Sequence, residues 1–286
     1  VRYIAEGSIR RGGSRIRIVV QLLDSETGSH IWAEKYDRDL GDIFELQEEI
    51  TRQVVNSIAP QIVVAERARS HKLIGDNLSA YELALKASAK LYETFDAGSQ
   101  DMMNEAIETA KSALELDPRN SHALSVLSYA YLMKQLLRWG DSPADDLRRG
   151  EEIASRFVTI DPNNSQPYVL RALARQFRNS YQAAIADFRR ALELNPGSAS
   201  TLAALAWGES LGGMTQDAKD HATLALRLSP NDTDYATGDI YLTLTQACFA
   251  DAEFEAARGY AFKSIQATQN APIRRALMIA SCGHLG

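Results

Sequence analysis

Between about residue 80 and the end of the chain, apolar residues return every three or four positions, the period of amphipathic helices. The stretch AIADFRRALELNP shows the design: Ala184, Phe188, Ala191, Leu192 and Leu194 fall on one side, and Pro196 closes the phrase. Residues 1–40 have a different rhythm. In RIRIVVQLLD, Ile16, Ile18, Val20 and Leu22 alternate with Arg15, Arg17, Val19 and Gln21, the period of a strand with one buried face. VRYIAEGSIR, the pair Gly12-Gly13 and this run read as a hairpin. Thr27-Gly28 turns the chain into a third strand, HIWAEKYDR. A helix should follow, with Asp42 as N-cap, Glu45 completing a capping box, and a stripe of Ile43, Leu46, Ile50, Val54 and Ile58 to cover one face of the meander. Pro60 kinks or restarts that helix, and a charged connector runs to about Leu73.

The helical phrases repeat. Pro162, Pro196 and Pro230 stand 34 residues apart (196 − 162 = 34; 230 − 196 = 34), and Pro118 precedes Pro162 by 44. The pattern A-x3-F-x2-A-L-x-L-x-P also fits Ala218, Ala222, Ala225, Leu226, Leu228 and Pro230, and Ala106, Ala110, Ala113, Leu114, Leu116 and Pro118. Alanines let antiparallel helices approach, the larger residue one turn on fills the gap between units, the leucines face the core, and proline ends the helix. A 34-residue unit of two helices is the period of the tetratricopeptide repeat (TPR). The expected fold is mainly α: a right-handed TPR solenoid of about five and a half helix-turn-helix units, preceded by a small α+β segment with a three-stranded meander and a helix. The domains are expected at 1–73 and 74–286, with units at about 80–118, 121–162, 165–196, 199–230 and 238–269 and a partial one at 272–286. Gly213 and Gly286 take the fifteenth position of their units, in the turn between helices.

The N-terminal phrase EGSIRRGGSRIRIVVQLLDSETGSHIWAEKYDRDLGDIFELQEEI resembles the end of the small αβ (TolB-like) domain that precedes TPR arrays in bacterial class III adenylate/guanylate cyclase-like proteins and winged-helix regulators. The resemblance implies that 1–73 is the C-terminal half of such a domain and that the chain is a fragment. It further implies a non-catalytic regulatory region of a signalling protein, with any cyclase domain lying N-terminal. A small-molecule-sensing module of a membrane-anchored transcriptional regulator is the rival reading. The location expected is cytoplasmic, or periplasmic if a membrane helix lies upstream.

Composition narrows the partners. Of 286 residues, 45% are hydrophobic and 24% charged, the mix of a globular protein, and the formal charge of −6 runs against a general nucleic-acid surface. Arg10, Arg11, Arg15 and Arg17 read as a solvated hairpin face rather than a phosphate site. No apolar run reaches the roughly 18 residues of a membrane span. His30, His71, His122, His221 and His284 form no paired ligand set, no phosphate-binding glycine loop occurs, and the loop from Asp232 fails the calcium pattern at Ala236, Thr237 and Thr243. Neither metal nor cofactor is expected, and the region is read as no enzyme. Cys248 and Cys282 are read as small buried hydrophobes; Asp141, Asp145 and Asp146 are read as a solvated loop.

A surface remains. The first helices of a TPR array line its concave face. The second, fifth, ninth and twelfth positions of each should point into the groove: His122, Ser125, Tyr129 and Leu132; Gln166, Val169, Leu173 and Gln176; Ser200, Ala203, Trp207 and Ser210; Asp239, Leu242, Gln246 and Phe249. The partner site is expected at Tyr129, Gln166, Leu173, Gln176, Trp207, Gln246 and Phe249, where rings among amides suit an apolar or helical segment of a protein or peptide. The same rings could instead pack against the protein's own insertions or terminal helix. Self-association is expected through the last helix, PIRRALMIASCGHLG.

Overall fold

The computed structural model describes residues 3–13, 15–25, 27–39, 50, 51, 53–55, 57, 58, 61, 62, 65, 79–140, 142–228, 235–267 and 272–285. Several expectations lie outside these residues: the Asp42–Glu45 capping box, Ile43 and Leu46, Pro60, Leu73, Asp141, Pro230, the Asp232 end of the candidate calcium loop, and Gly286. The chain divides into two compact units, Val1–Lys72 and Leu73–Gly286.

In the first unit, β1 (Tyr3–Gly12), β2 (Arg15–Asp24) and β3 (His30–Asp39) form an antiparallel sheet in the order β1-β2-β3. Gly13 (φ 63°) and Gly28 (φ 68°) make the turns in the left-handed region that glycine enters without strain. The period-two pattern separates the faces. Val20 and Tyr36 are buried with helical Ile50, and Ile18, Trp32, Val54 and Ile58 pack around them. On the opposite face Arg17 donates to both carboxylate oxygens of Asp37 at 2.7 and 3.2 Å, and Gln21 Nε2 donates to Glu6 at 3.0 Å.

The second unit is helical: α1 (Ala80–Ala97), α2 (Gln100–Leu116), α3 (Ser121–Leu136), α4 (Pro143–Ile160), α5 (Gln166–Phe177), α6 (Tyr181–Leu194), α7 (Ala199–Leu211), α8 (Thr215–Leu228), α9 (Tyr235–Ala250), α10 (Phe254–Ala267) and α11 (Pro272–Leu285). Ser79 starts α1 with a capping box, its hydroxyl accepting from Glu82 N–H while the Glu82 carboxylate accepts from Ser79 N–H. Each helix packs on the next in sequence, and the first helices α1, α3, α5, α7, α9 and α11 also touch in succession. That is the contact pattern of a solenoid.

The repeated alanines are its seams. Ala106, Ala110, Ala113, Ala184, Ala218, Ala222, Ala225 and Ala257 have no exposed surface, and Phe188 is equally buried among Ala172, Ala184, Ile185 and Leu205. The leucines of the phrase do not all face the core. Leu228, the last residue of α8, is buried, but Leu116, the last residue of α2, is 62% exposed.

The turns between paired helices also repeat. Asn179 (φ 60°), Gly213 (φ 80°) and Ala252 (φ 60°) are left-handed. Behind them run equivalent backbone bonds, Ser180 N–H to Arg175 C=O, Met214 N–H to Glu209 C=O and Glu253 N–H to Cys248 C=O, each at 2.8 Å. This is the six-to-one closure of a helix C-terminus. Only one of the three is glycine; asparagine and alanine are held in the strained region by that closure.

Two expectations change. Asp145 and Asp146 stand in the first turn of α4, where the helix dipole favours acids, and Asp146 is buried against Gly140. Cys248 is buried as expected, but Cys282 is exposed: α11 turns Ser281 and Arg274 inward, and Cys282 lies off that side.

Candidate partner-binding groove

Of the seven expected groove residues, Tyr129, Leu173 and Trp207 stand half-buried on three successive first helices. Tyr129 on α3 packs beside the core, and burial pushes its phenol pKa up. Leu173 on α5 packs against two neighbouring core clusters. Gln166 is exposed at the start of α5, its N–H bonded to Asn164 Oδ1 at 2.9 Å. Trp207 on α7 is half-buried and meets Phe177 of α5 edge-to-face, with ring centroids 5.8 Å apart.

Other members sit deeper. Leu132 belongs to the core rather than the groove: it has no exposed surface and lies against Gly150 of α4, where an added Cβ would come within 3.4 Å of it. Gln176 is 2% exposed, and neither amide atom has a hydrogen-bond partner; its Oε1 sits where a Cβ on Gly208 would come to 3.1 Å. Gln246 Oε1 is likewise buried without a partner. A buried polar group left unpaired costs about 1–3 kcal/mol.

Phe249 packs on its own chain. It is edge-on to Phe254 of α10 (5.4 Å) and His284 of α11 (5.6 Å), and those two rings stack at 4.2 Å. Of the two roles open to the rings, Phe249 takes the internal one at this end.

Sequence reasoning missed the charges that pin the units together. Glu209 on α7 has no exposed surface; His221 Nδ1 of α8 lies 2.7 Å from Oε2, and Arg189 of α6 donates to Oε1 at 3.2 Å. The bond to His221 holds the imidazole pKa above its ordinary value, against the opposing effect of burial. One unit earlier, Asp187 is buried and accepts from Arg171 at 2.8 and 2.7 Å and from Arg175 at 2.7 Å. Arg175 also donates to Glu151 at 3.0 Å. Burial opposes ionisation of Glu151, yet Arg175 and Arg178 hold its pKa below the usual range. An acid at the eleventh place of a first helix, where other units carry Tyr131 or Cys248, was the available signal for Glu209.

Phe177, the ring beneath Trp207, was also missed; it follows Gln176 directly and falls outside the four positions counted for each helix. Among the described residues no group of three or more His, Cys, Asp or Glu side chains gathers to hold a metal, and no helix is long and apolar enough to cross a membrane.

The Tetratricopeptide repeat family model matches residues 165–198, the unit containing α5 and α6. A protein of Rhizobium meliloti (strain 1021) named "Putative adenylate cyclase 3" is 34% identical over 174 residues, 61% of this chain and 29% of that protein. The match therefore spans less than a third of the relative's length. A thermophilic TPR protein of Thermus thermophilus superposes with a TM-score of 0.50 at 15% identity, over 70% of this chain and 98% of its own. Pseudomonas aeruginosa pilF superposes with a TM-score of 0.53 at 16% identity, over 70% of this chain and 84% of its own. Helix pairing, repeat period and these likenesses agree: the helical unit is a TPR solenoid.

Proposed function

We propose that this chain is a non-catalytic, protein-binding regulatory region of a longer bacterial signalling protein of the adenylate/guanylate cyclase-like kind. Its first helices receive a polypeptide segment. The observation that carries this reading is the succession Tyr129, Leu173 and Trp207 on α3, α5 and α7, three half-buried apolar side chains on helices that touch in order. Aromatic rings held by a packed neighbour make strong anchors, and Phe177 meets the half-buried Trp207 edge-to-face. Solenoids use this face for extended partners. The signalling context rests on the Rhizobium relative's name and belongs to the whole protein rather than to these residues.

A photo-crosslinking residue placed at Ser210, half-buried on α7 beside Trp207, tests the reading in the full-length protein in its host cell. The expected result is a polypeptide adduct. Trp207→Ala should reduce it by roughly ten- to thirty-fold, the loss of an anchor worth about 2 kcal/mol, with helical circular dichroism retained. Absence of any polypeptide adduct, or an equal yield from the Trp207→Ala protein, refutes the proposal. A rise in melting temperature with a metabolite and no adduct would point to small-molecule sensing instead.

A further inference from the structure

The seams between successive units are not locked alike. At the seam of α2 and α3, Gln100 Nε2 donates to Trp139 C=O at 2.6 Å and Lys134 Nζ to Asn104 Oδ1 at 3.5 Å. At the seam of α4 and α5, Glu151 accepts from Arg175 and Arg178. At the seam of α8 and α9, Asp251 accepts from Thr215 Oγ1 and Lys219 Nζ, both at 2.8 Å. Counting from the left-handed turn residues Asn179, Gly213 and Ala252 puts Gly212 in the place of Asp251, and Tyr181 and Ile185 in the places of Thr215 and Lys219. The seam of α6 and α7 therefore has neither the carboxylate nor the lysine of that clasp.

Its packing is open as well. Gly208 and Gly212 turn the same bare side of α7 toward Ile185 of α6, where a Cβ would lie 3.8 and 3.6 Å from the isoleucine. Side chains that would interdigitate with α6 are missing at two consecutive turns. Beside Gly212 lies a cleft of about 480 Å3, lined by Tyr181 and by Leu211, which is 40% exposed. Among the described residues, α5 and α7 approach each other least of the successive first helices, and the rings of Phe177 and Trp207 bridge them. Gln176 is enclosed against Gly208 with both amide atoms unpaired. A buried polar group without a partner penalises the closed arrangement, and an opening that admits water relieves it. Two adjacent residues of α6 hold the seam together. Phe188 has no exposed surface and lies among residues of α5, α6 and α7, and Arg189 donates to Glu209 of α7 at 3.2 Å.

We propose that the solenoid is jointed at this seam. The part through α6 and the part from α7 onward move as two bodies about Phe188 and Arg189, opening and closing the groove between Leu173 and Trp207. Packed elements switch between discrete arrangements rather than deforming continuously, so motion concentrates where interlocking is weakest. The joint lets one groove admit segments of different thickness, and the unpaired amide of Gln176 biases it toward opening.

Distance measurements between pairs of nitroxide labels, by electron–electron resonance on a Cys282→Ser background, test the proposal. Ser112 of α2, Ala186 of α6 and Thr223 of α8 are exposed. The pair Ser112→Cys/Thr223→Cys spans the joint and should give a broad distance distribution. The pair Ser112→Cys/Ala186→Cys stops short of the joint and should give a narrow one. Gln176→Leu removes the unpaired amide at similar size and should narrow the spanning distribution toward that of the shorter pair. Gly208→Ala places a Cβ 3.1 Å from Gln176 Oε1 and should broaden it further. The proposal is overturned if the spanning pair is as narrow as the shorter one, or if both are equally broad, which would spread the motion along the whole solenoid. It is also overturned if Gln176→Leu leaves the breadth unchanged, which would assign the amide to an enclosed water.

Discussion

His221→Ala removes one of the two partners of a carboxylate that has no access to water. The remaining partner, Arg189, is half exposed, holds Glu209 at 3.2 Å, and is shared with Asp217 at 3.6 Å. A hydrogen bond to a charged group is worth about 1.5–3 kcal/mol. Stripping a buried ion pair of its sole partner costs about 3–5 kcal/mol. Because Arg189 stays, the expected loss is about 2–3 kcal/mol. The pH dependence carries the diagnosis. Glu209 raises the folded-state pKa of His221 above the ordinary 6.5. A raised pKa means the folded protein holds its proton more tightly than the unfolded chain, so the stabilisation is complete below about pH 6.5 and is lost as pH rises through the folded-state value. The gap between parent and His221→Ala should therefore be widest near about pH 5.5 and narrow toward about pH 8.5. It should not close, since neutral imidazole can still donate through Nδ1–H. Urea unfolding followed by circular dichroism measures this, with comparisons restricted to conditions where the urea slope is unchanged. Parallel pH profiles, or a loss under about 0.5 kcal/mol, would show that Arg189 alone satisfies Glu209.

Phe188→Ala empties a fully buried site between units and should cost about 3–5 kcal/mol in urea unfolding; a loss under about 1 kcal/mol would mean the seam collapses around the cavity. Arg274, 4% exposed, donates to Ser264 C=O and Oγ at 3.1 and 2.8 Å and to Asp239 at 2.5 Å, so it ties α11 to α10 and α9. Arg274→Ala should raise hydrogen exchange throughout α11 while α3 to α8 keep their protection, because solenoid units open locally; unchanged exchange in α11 would place its anchorage elsewhere.

Local periodicity carried much of the fold in the sequence. A strand buried on one face must alternate, so β2 was legible from Ile16 to Leu22. Helices that meet at close range must be small on the contact side, so the alanine seams at Ala106, Ala184 and Ala218 announced the repeat. The candidate groove was legible only as a register. Side-chain direction follows from position on a helix, which placed Trp207 and Tyr129 on half-exposed faces.

What those side chains meet is decided between helices, and sequence spacing holds no record of it. Leu132 was counted into the groove but is drawn into the core by α4, and Phe249 is taken up by Phe254 and His284 from two later helices. Arg171, Arg175, Asp187, Glu209 and His221 stand on four separate helices, where charged residues are ordinary. Packing removes water from Asp187 and Glu209, and a carboxylate without water needs cations supplied by its neighbours. The chain alone determined that it repeats, at what period, and which residues form the seams, because those are properties of one helix and its nearest partner. Only the tertiary structure decided which charges are buried, which rings stay partly exposed, and that β1 meets no strand on its outer side among the described residues, because each depends on whether another element arrives from elsewhere in the chain.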